Sequence, residues 1–343
     1  MIRCHKYTLV KLTSVVLLSC FLALSAFSGE APAADALPKP TAADVAYGPQ
    51  DRQTLDFYQA KSDKPTPVLF MIHGGGWVYG SKGITVHDLP YLKAGISIVT
   101  INYRYITKAL EASVMPPVKW PLEDAARALQ FVRSKAQEWN IDKARICLTG
   151  GSAGACSSLW LTYHKDLADP KSNDPVARES TRPWCAAVQV AQTSLDPQQL
   201  KEWTPNSSYG GHAFGLMQYK DPSGTRNAYF AEFLAYREQL MPWIREYSPY
   251  ALVTKGAPPV YLIYDTPPAL GQEVKDPTHT ANYGVKLQEH CREIGVECEL
   301  VYPGAPAVKH PTIEQYIIEA LTSNGAFDQT HTKTKQKSGF TTD

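Results

Sequence analysis

Short apolar runs alternate with longer segments of helical period through most of the chain. The apolar runs, which we take as strand candidates, are residues 68–72, 96–101, 145–149, 186–190, 260–264 and 299–302. Most of them are nearly continuous in apolar residues, as is typical of strands covered on both faces. Leu122, Ala125 and Leu129 mark one helical face between them, and Tyr283 and Leu287 mark another. The pattern predicts an α/β fold, a mostly parallel central sheet with helices on both faces.

Two segments break this alternation. Residues 195–248 are rich in Trp, Tyr, Pro and Gly and contain no clear strand, so we expect a small cap-like excursion over one end of the sheet. An ordinary long crossover is the alternative. Residues 323–343 form a Lys- and Thr-rich polar tail that can bury little surface, and we expect it to be disordered. The folded domain is therefore expected to span residues 35–322.

Residues 1–34 have the order of a secretory signal peptide. Basic residues come first, an apolar run from Val15 to Leu24 follows, and small residues from Ala31 to Ala34 end the segment. The apolar run is short for a membrane span, so we expect cleavage, export and no stable membrane span in the mature protein. Lipidation at Cys20 is a less favoured alternative, because apolar sequence continues beyond it to Phe27.

Composition excludes several classes of protein. The formal charge of +1 gives no general reason to bind nucleic acid. Removal of residues 1–34 takes away three basic residues and one acidic residue, so the formal charge becomes −1. It also leaves five cysteines, an odd number at scattered spacings that does not predict a disulfide framework, although Cys291 and Cys298 could pair. No close cluster of Cys and His predicts zinc.

The strongest chemical signal is the pentapeptide at 150–154, Gly-Gly-Ser-Ala-Gly, which has the form G-x-S-x-G. It follows a predicted strand directly and precedes a helix-compatible run. In that context the glycines permit a sharp turn that exposes the Ser152 hydroxyl at the positive end of a helix. The pattern therefore predicts a nucleophilic serine at position 152.

A second glycine-rich motif, His73-Gly74-Gly75-Gly76-Trp77, ends the strand at 68–72. Consecutive glycines leave backbone N–H groups free to face a cavity, which acyl transfer requires for a developing oxyanion. A flexible turn or a phosphate cradle are the alternatives, but no Walker lysine or G-x-G-x-x-G spacing follows. Two such motifs in this order favour acyl transfer.

These residues resemble the α/β-hydrolase fold, specifically its esterase/lipase branch with an HGGG loop, near its secreted feruloyl- and acetyl-esterase-like members. The resemblance covers most of residues 45–320. Besides the two motifs, it rests on Leu55-Asp56-Phe57-Tyr58, Gly80-Ser81-Lys82, Asn102-Tyr103-Arg104-Tyr105, Pro121-Leu122-Glu123-Asp124, Ser248-Pro249, Pro258-Pro259 and Val301-Tyr302-Pro303-Gly304. It implies a serine carboxylesterase that needs no metal or organic cofactor.

The resemblance also implies a catalytic order of Ser, then Asp or Glu, then His, with the histidine after the last strand. On that order His310 is expected as the general base. The acid is expected at Asp276, ahead of the helix that contains Leu287, with Asp265 as the alternative directly after a strand. The N–H groups of Gly75, Gly76 and Ala153 are expected to form the oxyanion hole.

Three aromatic residues near the ends of predicted strands bear on the substrate. Trp77, Tyr79 and Tyr103 lie near the carboxyl ends of strands, where open sheets place ligands, so their rings could stack on a sugar or a feruloyl group. Core or rim packing is the alternative for each ring. Export favours esters of carbohydrates, acetyl or feruloyl, as substrates. A serine peptidase, a lipase, or an inactive binding protein on the same fold are the competing hypotheses.

Overall fold

The computed structural model describes residues 37–216, 226–306 and 308–323. The predicted signal peptide at 1–34 and the tail from residue 324 onward therefore lie outside the described residues, and both stay predictions. Within the described ranges, no helix is long and apolar enough to cross a bilayer.

A single sheet of eight strands organises the described chain. The strands are β1 (Ala42–Ala46), β2 (Thr54–Tyr58), β3 (Thr66–Ile72), β4 (Ser97–Ile101), β5 (Ile141–Gly151), β6 (Cys185–Gln189), β7 (Val260–Ile263) and β8 (Cys298–Val301). Their spatial order is β1-β2-β4-β3-β5-β6-β7-β8. The pairings of β2 with β1 and with β4 are antiparallel, and all the others are parallel. All six predicted strands are present.

The two strands that the hydrophobic pattern did not predict, β1 and β2, form the antiparallel edge of the sheet. Four of the five residues of β2 are buried, although the strand contains Asp56. No residue of β1 is fully buried. The outer strand β1 is short and partly exposed, and Asp56 interrupts the apolar residues of β2, so neither has the continuous apolar run of the predicted strands.

The described part of the chain contains ten α-helices, which pack around the sheet. They are α1 (Leu89–Lys93), α2 (Ile106–Glu111), α3 (Lys119–Ser134), α4 (Ala153–Tyr163), α5 (Pro197–Trp203), α6 (Arg226–Ala235), α7 (Arg237–Tyr247), α8 (Pro249–Leu252), α9 (Asn282–Ile294) and α10 (Ile313–Thr322). Short 3-10 turns occupy Val86–Asp88, Val176–Arg178 and Gly211–Phe214. Helices α3 and α9 are those that the periodic apolar positions predicted.

Alternate residues of the central strands face two separate cores. Phe70 and Leu148 belong to the core that contains the apolar residues of α3, α4 and α9. Leu69 and Cys147, one position along, belong to the core that contains Tyr91 of α1 and residues of α10. Helices therefore cover both faces, and the strands carry apolar residues at successive positions for this reason.

The excursion at 195–248 contains helices and no strand among its described residues. Helix α5 begins after Asp196, whose side chain accepts the N–H of Gln198 as an N-cap. Arg237, at the start of α7, makes two hydrogen bonds of 2.7 Å to the Asp196 carboxylate. This pair ties the two ends of the excursion together. Its role as a cap over the sheet stays a prediction.

The five cysteines of the described chain all carry free thiols, including Cys291 and Cys298. Cys147 and Cys185 are register partners on β5 and β6 and are fully buried. Burial raises the pKa of the Cys156 and Cys185 thiols, since a buried thiolate loses its hydration.

The turn from β5 into α4 packs directly against the end of β3. A Cβ atom at Gly154 would lie 2.0 Å from the Ile72 carbonyl oxygen and 2.8 Å from that of His73. A Cβ atom at Gly150 would lie 2.4 Å from the same Ile72 oxygen. Glycine is therefore required at 150 and 154 so that the helix and the neighbouring strand end can approach this closely.

The loop that follows β3 is braced by an aromatic stack. The His73 imidazole lies 4.2 Å from the Tyr103 ring, nearly parallel to it. The Tyr103 hydroxyl donates to the His73 carbonyl at 2.9 Å. Nδ1–H of His73 donates to the Gly74 carbonyl at 2.8 Å, which leaves Nε2 as an acceptor towards Arg52. Burial, aided by the Arg52 charge and opposed by the Gly74 hydrogen bond, lowers the pKa of His73 to about 4.

We expect Gly154→Ala to destabilise the protein by about 3 kcal/mol or more, because the methyl group would push α4 away from β3. Urea unfolding measures this change. Gly151→Ala is the matched control, since a Cβ atom there would meet nothing within 4 Å. Equal midpoints for the two variants would contradict the close approach.

Acid should weaken the fold through His73. Its folded-state pKa lies below the ordinary value, so the unfolded chain binds a proton between about pH 6.5 and pH 4 that the folded chain does not. The free energy of unfolding should therefore fall as the pH drops through this window, by at most about 3 kcal/mol from this group. Urea unfolding at pH 7 and pH 4.5 tests this, and His73→Asn should show a smaller pH dependence than wild type.

Candidate active site

Ser152 stands at the junction of β5 and α4. Its backbone has φ 54° and ψ −122°, a conformation that residues with side chains rarely adopt. The residue is held there by its N–H, which donates to the Gln189 carbonyl at 3.2 Å, and by its carbonyl, which accepts the N–H of Cys156 at 2.9 Å. The strained turn carries the hydroxyl out of the sheet edge, as the G-x-S-x-G pattern predicts.

The hydroxyl of Ser152 meets a histidine that the sequence analysis did not select. Nε2 of His279 lies 3.0 Å from Ser152 Oγ. Nδ1 of the same ring lies 2.8 Å from Oδ2 of Asp276. Serine, imidazole and carboxylate thus form one hydrogen-bonded chain, in the geometry of a nucleophile, a base and a group that orients the base.

A tight turn brings Asp276 and His279 together although they are only three residues apart. Oδ1 of Asp276 accepts the N–H groups of Thr278 and His279, at 3.0 and 3.3 Å, and Oδ2 is left to receive the imidazole. Partial burial raises the pKa of Asp276, but the hydrogen bond and charge of His279 and the two backbone N–H groups outweigh it and lower the pKa. The carboxylate is therefore ionised at neutral pH.

The structure does not bring His310 to Ser152, which corrects the expectation that His310 is the general base. Its ring nitrogens lie 2.7 Å from Glu299 Oε2 and 3.0 Å from Glu319 Oε2. Its N–H donates to Glu299 as well, and its carbonyl accepts the Tyr261 hydroxyl. The residue is 4% exposed. With every polar group engaged, His310 joins β8, β7 and the second half of α10.

Order along the chain indicates the wrong histidine, because the resemblance places the base after the last strand and His279 precedes β8. The segment Asp276-Pro277-Thr278-His279 held a usable signal. When an Asp carboxylate accepts backbone N–H groups of the turn that follows it, the chain folds back. The side chain three residues later then lies near that carboxylate. Asp265, the alternative acid, is exposed and makes no hydrogen bond within the described chain. The structure brings together Ser152 and Asp276 of the predicted residues.

The glycine loop, by which we mean residues 73–80, lies directly against Ser152. A Cβ atom at Gly74 would lie 3.6 Å from Cβ of Ser152. Gly75 and Gly76 have φ of 101° and 58°, so the loop needs conformations that favour glycine. Within the described residues, no hydrogen bond takes the N–H of Gly75, Gly76 or Ala153. Unused N–H donors are therefore present on both segments that flank the Ser152 hydroxyl.

Arg52 holds this loop to the segment that follows β4. Its Nε donates to the Tyr103 carbonyl at 2.8 Å, and its Nη2 donates to the Gly80 carbonyl at 3.0 Å. Nη2 also lies 3.4 Å from Nε2 of His73. The guanidinium stacks 3.9 Å over the Tyr105 ring. One side chain thus fixes both ends of the glycine loop, a role that the sequence pattern did not show.

Two of the three aromatic residues expected to contact substrate are part of the core, which corrects that expectation. Trp77 is 0% exposed, and its Nε1 donates to Ser157 of α4 at 2.9 Å. Tyr103 is also 0% exposed and supports His73. Tyr79, at 59% exposure, is the member of the set that could meet a ligand.

A cavity of about 200 Å³ opens beside the serine turn. It is lined by Met71, Ile72, His73, Gly74, Ser81, Lys82, Gly83, Thr100, Thr149, Gly150, Gly151 and Gln189. A second cavity, of about 340 Å³, lies by the excursion and includes Phe230, Leu234 and Glu273. Its lining residues do not include Ser152, His279 or Asp276. No group of three or more His, Cys, Asp or Glu able to hold a metal occurs in the part of the chain that is described.

Two esterases match parts of this chain in sequence. It is 32% identical over 162 residues to gut esterase 1 of Caenorhabditis elegans, which covers 46% of this chain and 28% of that protein. It is 29% identical over 233 residues to esterase LipC of Mycobacterium tuberculosis, covering 64% of this chain and 49% of LipC. The chain thus spans less than half the length of each of these relatives.

Solved structures match more of the chain. The acetyl ester-xyloside bifunctional hydrolase of Caldicellulosiruptor lactoaceticus superposes with a TM-score of 0.53 at 25% identity, covering 73% of this chain and 76% of that one. A truncated carbohydrate esterase from gut microbiota gives 0.58 at 20% identity, covering 82% and 96%. With the mostly parallel sheet, these matches confirm the predicted α/β-hydrolase fold. Residues 55–267, more than half of the chain, match the BD-FAE family model, and the chain therefore belongs to the BD-FAE family.

Proposed function

We propose that the protein is a serine carboxylesterase that works through an acyl-enzyme. The observation that carries the proposal is the hydrogen-bonded chain from Ser152 through His279 to Asp276, with distances of 3.0 and 2.8 Å. Esterase relatives and membership of the BD-FAE family support it. Such a chain also argues against an inactive binding protein, which would have no need to keep a nucleophile and a base aligned.

In the first half-reaction, His279 Nε2 accepts the Ser152 proton while Oγ attacks the ester carbonyl carbon. The resulting oxyanion accepts hydrogen bonds from the N–H groups of Ala153 and of the glycine loop, Gly75 and Gly76. The tetrahedral intermediate collapses, the C–O bond to the alcohol breaks, and His279 gives the alcohol its proton. The ionised Asp276 stabilises the imidazolium and holds its tautomer.

In the second half-reaction, water replaces the alcohol. His279 takes a proton from the water, the hydroxide oxygen attacks the acyl carbon, and collapse returns the proton to Ser152 as the acid leaves. Each step uses groups of the chain and water, so the cycle that we propose requires no metal or organic cofactor.

The narrower proposal is that the esters are acetyl or feruloyl esters of carbohydrates and that the enzyme is exported. The signal-like order of residues 1–34 supports export. The likeness to the acetyl ester-xyloside bifunctional hydrolase, at 25% identity, supports the substrate class. We expect the protein to bind a small ester substrate. We expect it to bind neither nucleic acid nor a membrane.

Substitution of the aligned residues should abolish turnover of p-nitrophenyl acetate. We expect Ser152→Ala and His279→Ala each to lower kcat by about 10⁴-fold or more, because they remove the nucleophile or the base. Asp276→Asn should lower kcat by about 10²-fold or more, since the imidazole loses its orientation. Initial rates, corrected for hydrolysis in buffer, provide the measurement.

His310→Gln is the matched control in the same assay. Because His310 lies between two glutamates, its loss should lower the unfolding midpoint while kcat of the folded protein stays within about threefold of wild type. Retained activity in His279→Ala together with a 10⁴-fold loss in folded His310→Gln would move the base to His310. Wild type no faster than Ser152→Ala would overturn the esterase proposal.

Arg52 should act as a positioning residue for the glycine loop. Arg52→Met keeps the apolar stem and removes the donors to Tyr103 and Gly80, so the loop N–H groups should lose their alignment. We expect kcat to fall about tenfold, with KM changed less than threefold, because the loop N–H groups stabilise the oxyanion and not the bound substrate. Steady-state kinetics measure both constants. Arg178→Met, at an exposed site, is the control, and a rise in KM alone would argue against this role.

A further inference from the structure

The acid–base turn, by which we mean residues 276–279, has little burial to hold it. The side chains of Asp276 and His279 are 61% and 35% exposed. Most residues from 271 to 276 are exposed as well, and fully buried residues resume at Thr280. A segment with so little buried surface needs specific hydrogen bonds to keep one position.

Gln192 reaches the acid–base turn from outside it. Its Nε2 donates to the Thr278 carbonyl at 2.7 Å. Within the described residues, the other hydrogen bonds of this turn are those inside it and the one between His279 and Ser152. Gln192 lies in the segment that follows β6 and is 0% exposed. The donor is therefore shielded from water, which makes the hydrogen bond stronger than the same contact in solvent.

This hydrogen bond acts on the peptide group that joins Thr278 to His279. The carbonyl of that group accepts Gln192 Nε2, and its N–H donates to Asp276 Oδ1 at 3.3 Å. The two hydrogen bonds hold opposite ends of one rigid plane and polarise it in the same direction. The orientation of this plane sets the position of the His279 Cα atom, and hence the place from which the imidazole reaches Ser152.

The same amide group is tied to the strand end that holds the nucleophile. Nε2 of Gln192 also donates to the Val190 carbonyl at 3.2 Å. Val190 follows Gln189, whose carbonyl accepts the Ser152 N–H at 3.2 Å. Val190 has a φ of 45°, a conformation that is strained for a β-branched residue. One NH₂ group thus connects the backbone beside Ser152 to the backbone beside His279.

The chemistry of the amide fixes its orientation. Both groups in contact with Gln192 Nε2 are carbonyl acceptors, so the reversed amide would set oxygen against oxygen. Oε1 of Gln192 is buried and has no hydrogen-bond partner in the part of the chain that is described. The donors of this side chain therefore make its contacts, and a side chain without donors cannot replace it.

We propose that Gln192 is a positioning residue for the general base, which it holds in place through the Thr278 carbonyl. The proposal rests on the proposed esterase function and deepens it. Gln192 is fully buried, so it acts through the acid–base turn and not on substrate. A small displacement of His279 weakens proton transfer in the transition state and leaves binding of the ground-state ester nearly unchanged. We therefore expect kcat, and not KM, to depend on Gln192.

Gln192→Met keeps the length of the side chain and removes its donors. Gln130→Met is the matched control, because Nε2 of Gln130 on α3 also donates to two backbone carbonyls, those of Ala177 and Glu179. We expect Gln192→Met to lower kcat for p-nitrophenyl acetate about tenfold, with KM changed less than threefold. Gln130→Met should keep kcat within twofold of wild type, although both variants should lower the unfolding midpoint. Equal kcat in the two folded variants would overturn the proposal.

Gln192→Glu adds a readout that a loss of stability alone would not produce. The protonated carboxyl group can donate to the Thr278 carbonyl, whereas the ionised one cannot and is repelled by it. Burial beside two carbonyl oxygens should raise the pKa of this carboxyl group, so kcat of the variant should fall as the pH rises through that pKa. Wild type should lack this descending limb. Parallel profiles, over a pH range in which circular dichroism shows both proteins folded, would contradict the role of the donor.

Amide hydrogen exchange, followed by NMR, tests the contact without turnover. The His279 N–H should exchange about tenfold faster in Gln192→Met than in wild type or Gln130→Met, because its peptide group loses one of its two hydrogen bonds. Unchanged exchange and unchanged kcat in an active enzyme would overturn the positioning role alone. Faster exchange in a protein whose wild type has no esterase activity would support the contact and overturn the proposed function.

Discussion

The contact between the serine turn and the end of β3 is the constraint on which the rest of the site depends. At Gly154 and Gly150 there is no room for a side chain against the Ile72 carbonyl. This approach fixes the start of α4 next to the glycine loop, so that Ser152 and the loop N–H groups share one small volume. If α4 moved away from β3, each group would keep its local structure and lose its neighbour.

Around that contact, stacked and hydrogen-bonded side chains hold the glycine loop in place. Arg52, His73 and Tyr103 connect the glycine loop to the segment after β4, and Trp77 connects the same loop to α4. Burial keeps His73 neutral, which lets one ring nitrogen donate and the other accept. Trp77 and Tyr103, which we expected from the sequence to contact substrate, thus support the loop.

The fold was largely predictable, because apolar periodicity reports burial directly. The six predicted strands are mostly continuous in apolar residues since helices cover both faces of the sheet, and α3 and α9 show one apolar face each. Strands β1 and β2 were not predicted, since β1 is a short and partly exposed edge strand and Asp56 interrupts the apolar residues of β2. Ser152 was predictable for a local reason, because the glycines that its turn requires are adjacent in the chain.

The base was not predictable from order along the chain. His279 and His310 both follow the serine turn, and sequence order favoured His310. Only the tertiary structure shows that Glu299 and Glu319 engage His310, while a turn capped by Asp276 delivers His279 to Ser152. The sequence by itself determined six of the eight strands, the nucleophile and the glycine loop, since each follows from a pattern of neighbouring residues. The tertiary structure decided which imidazole meets the serine, because that choice depends on distances between segments 127 residues apart.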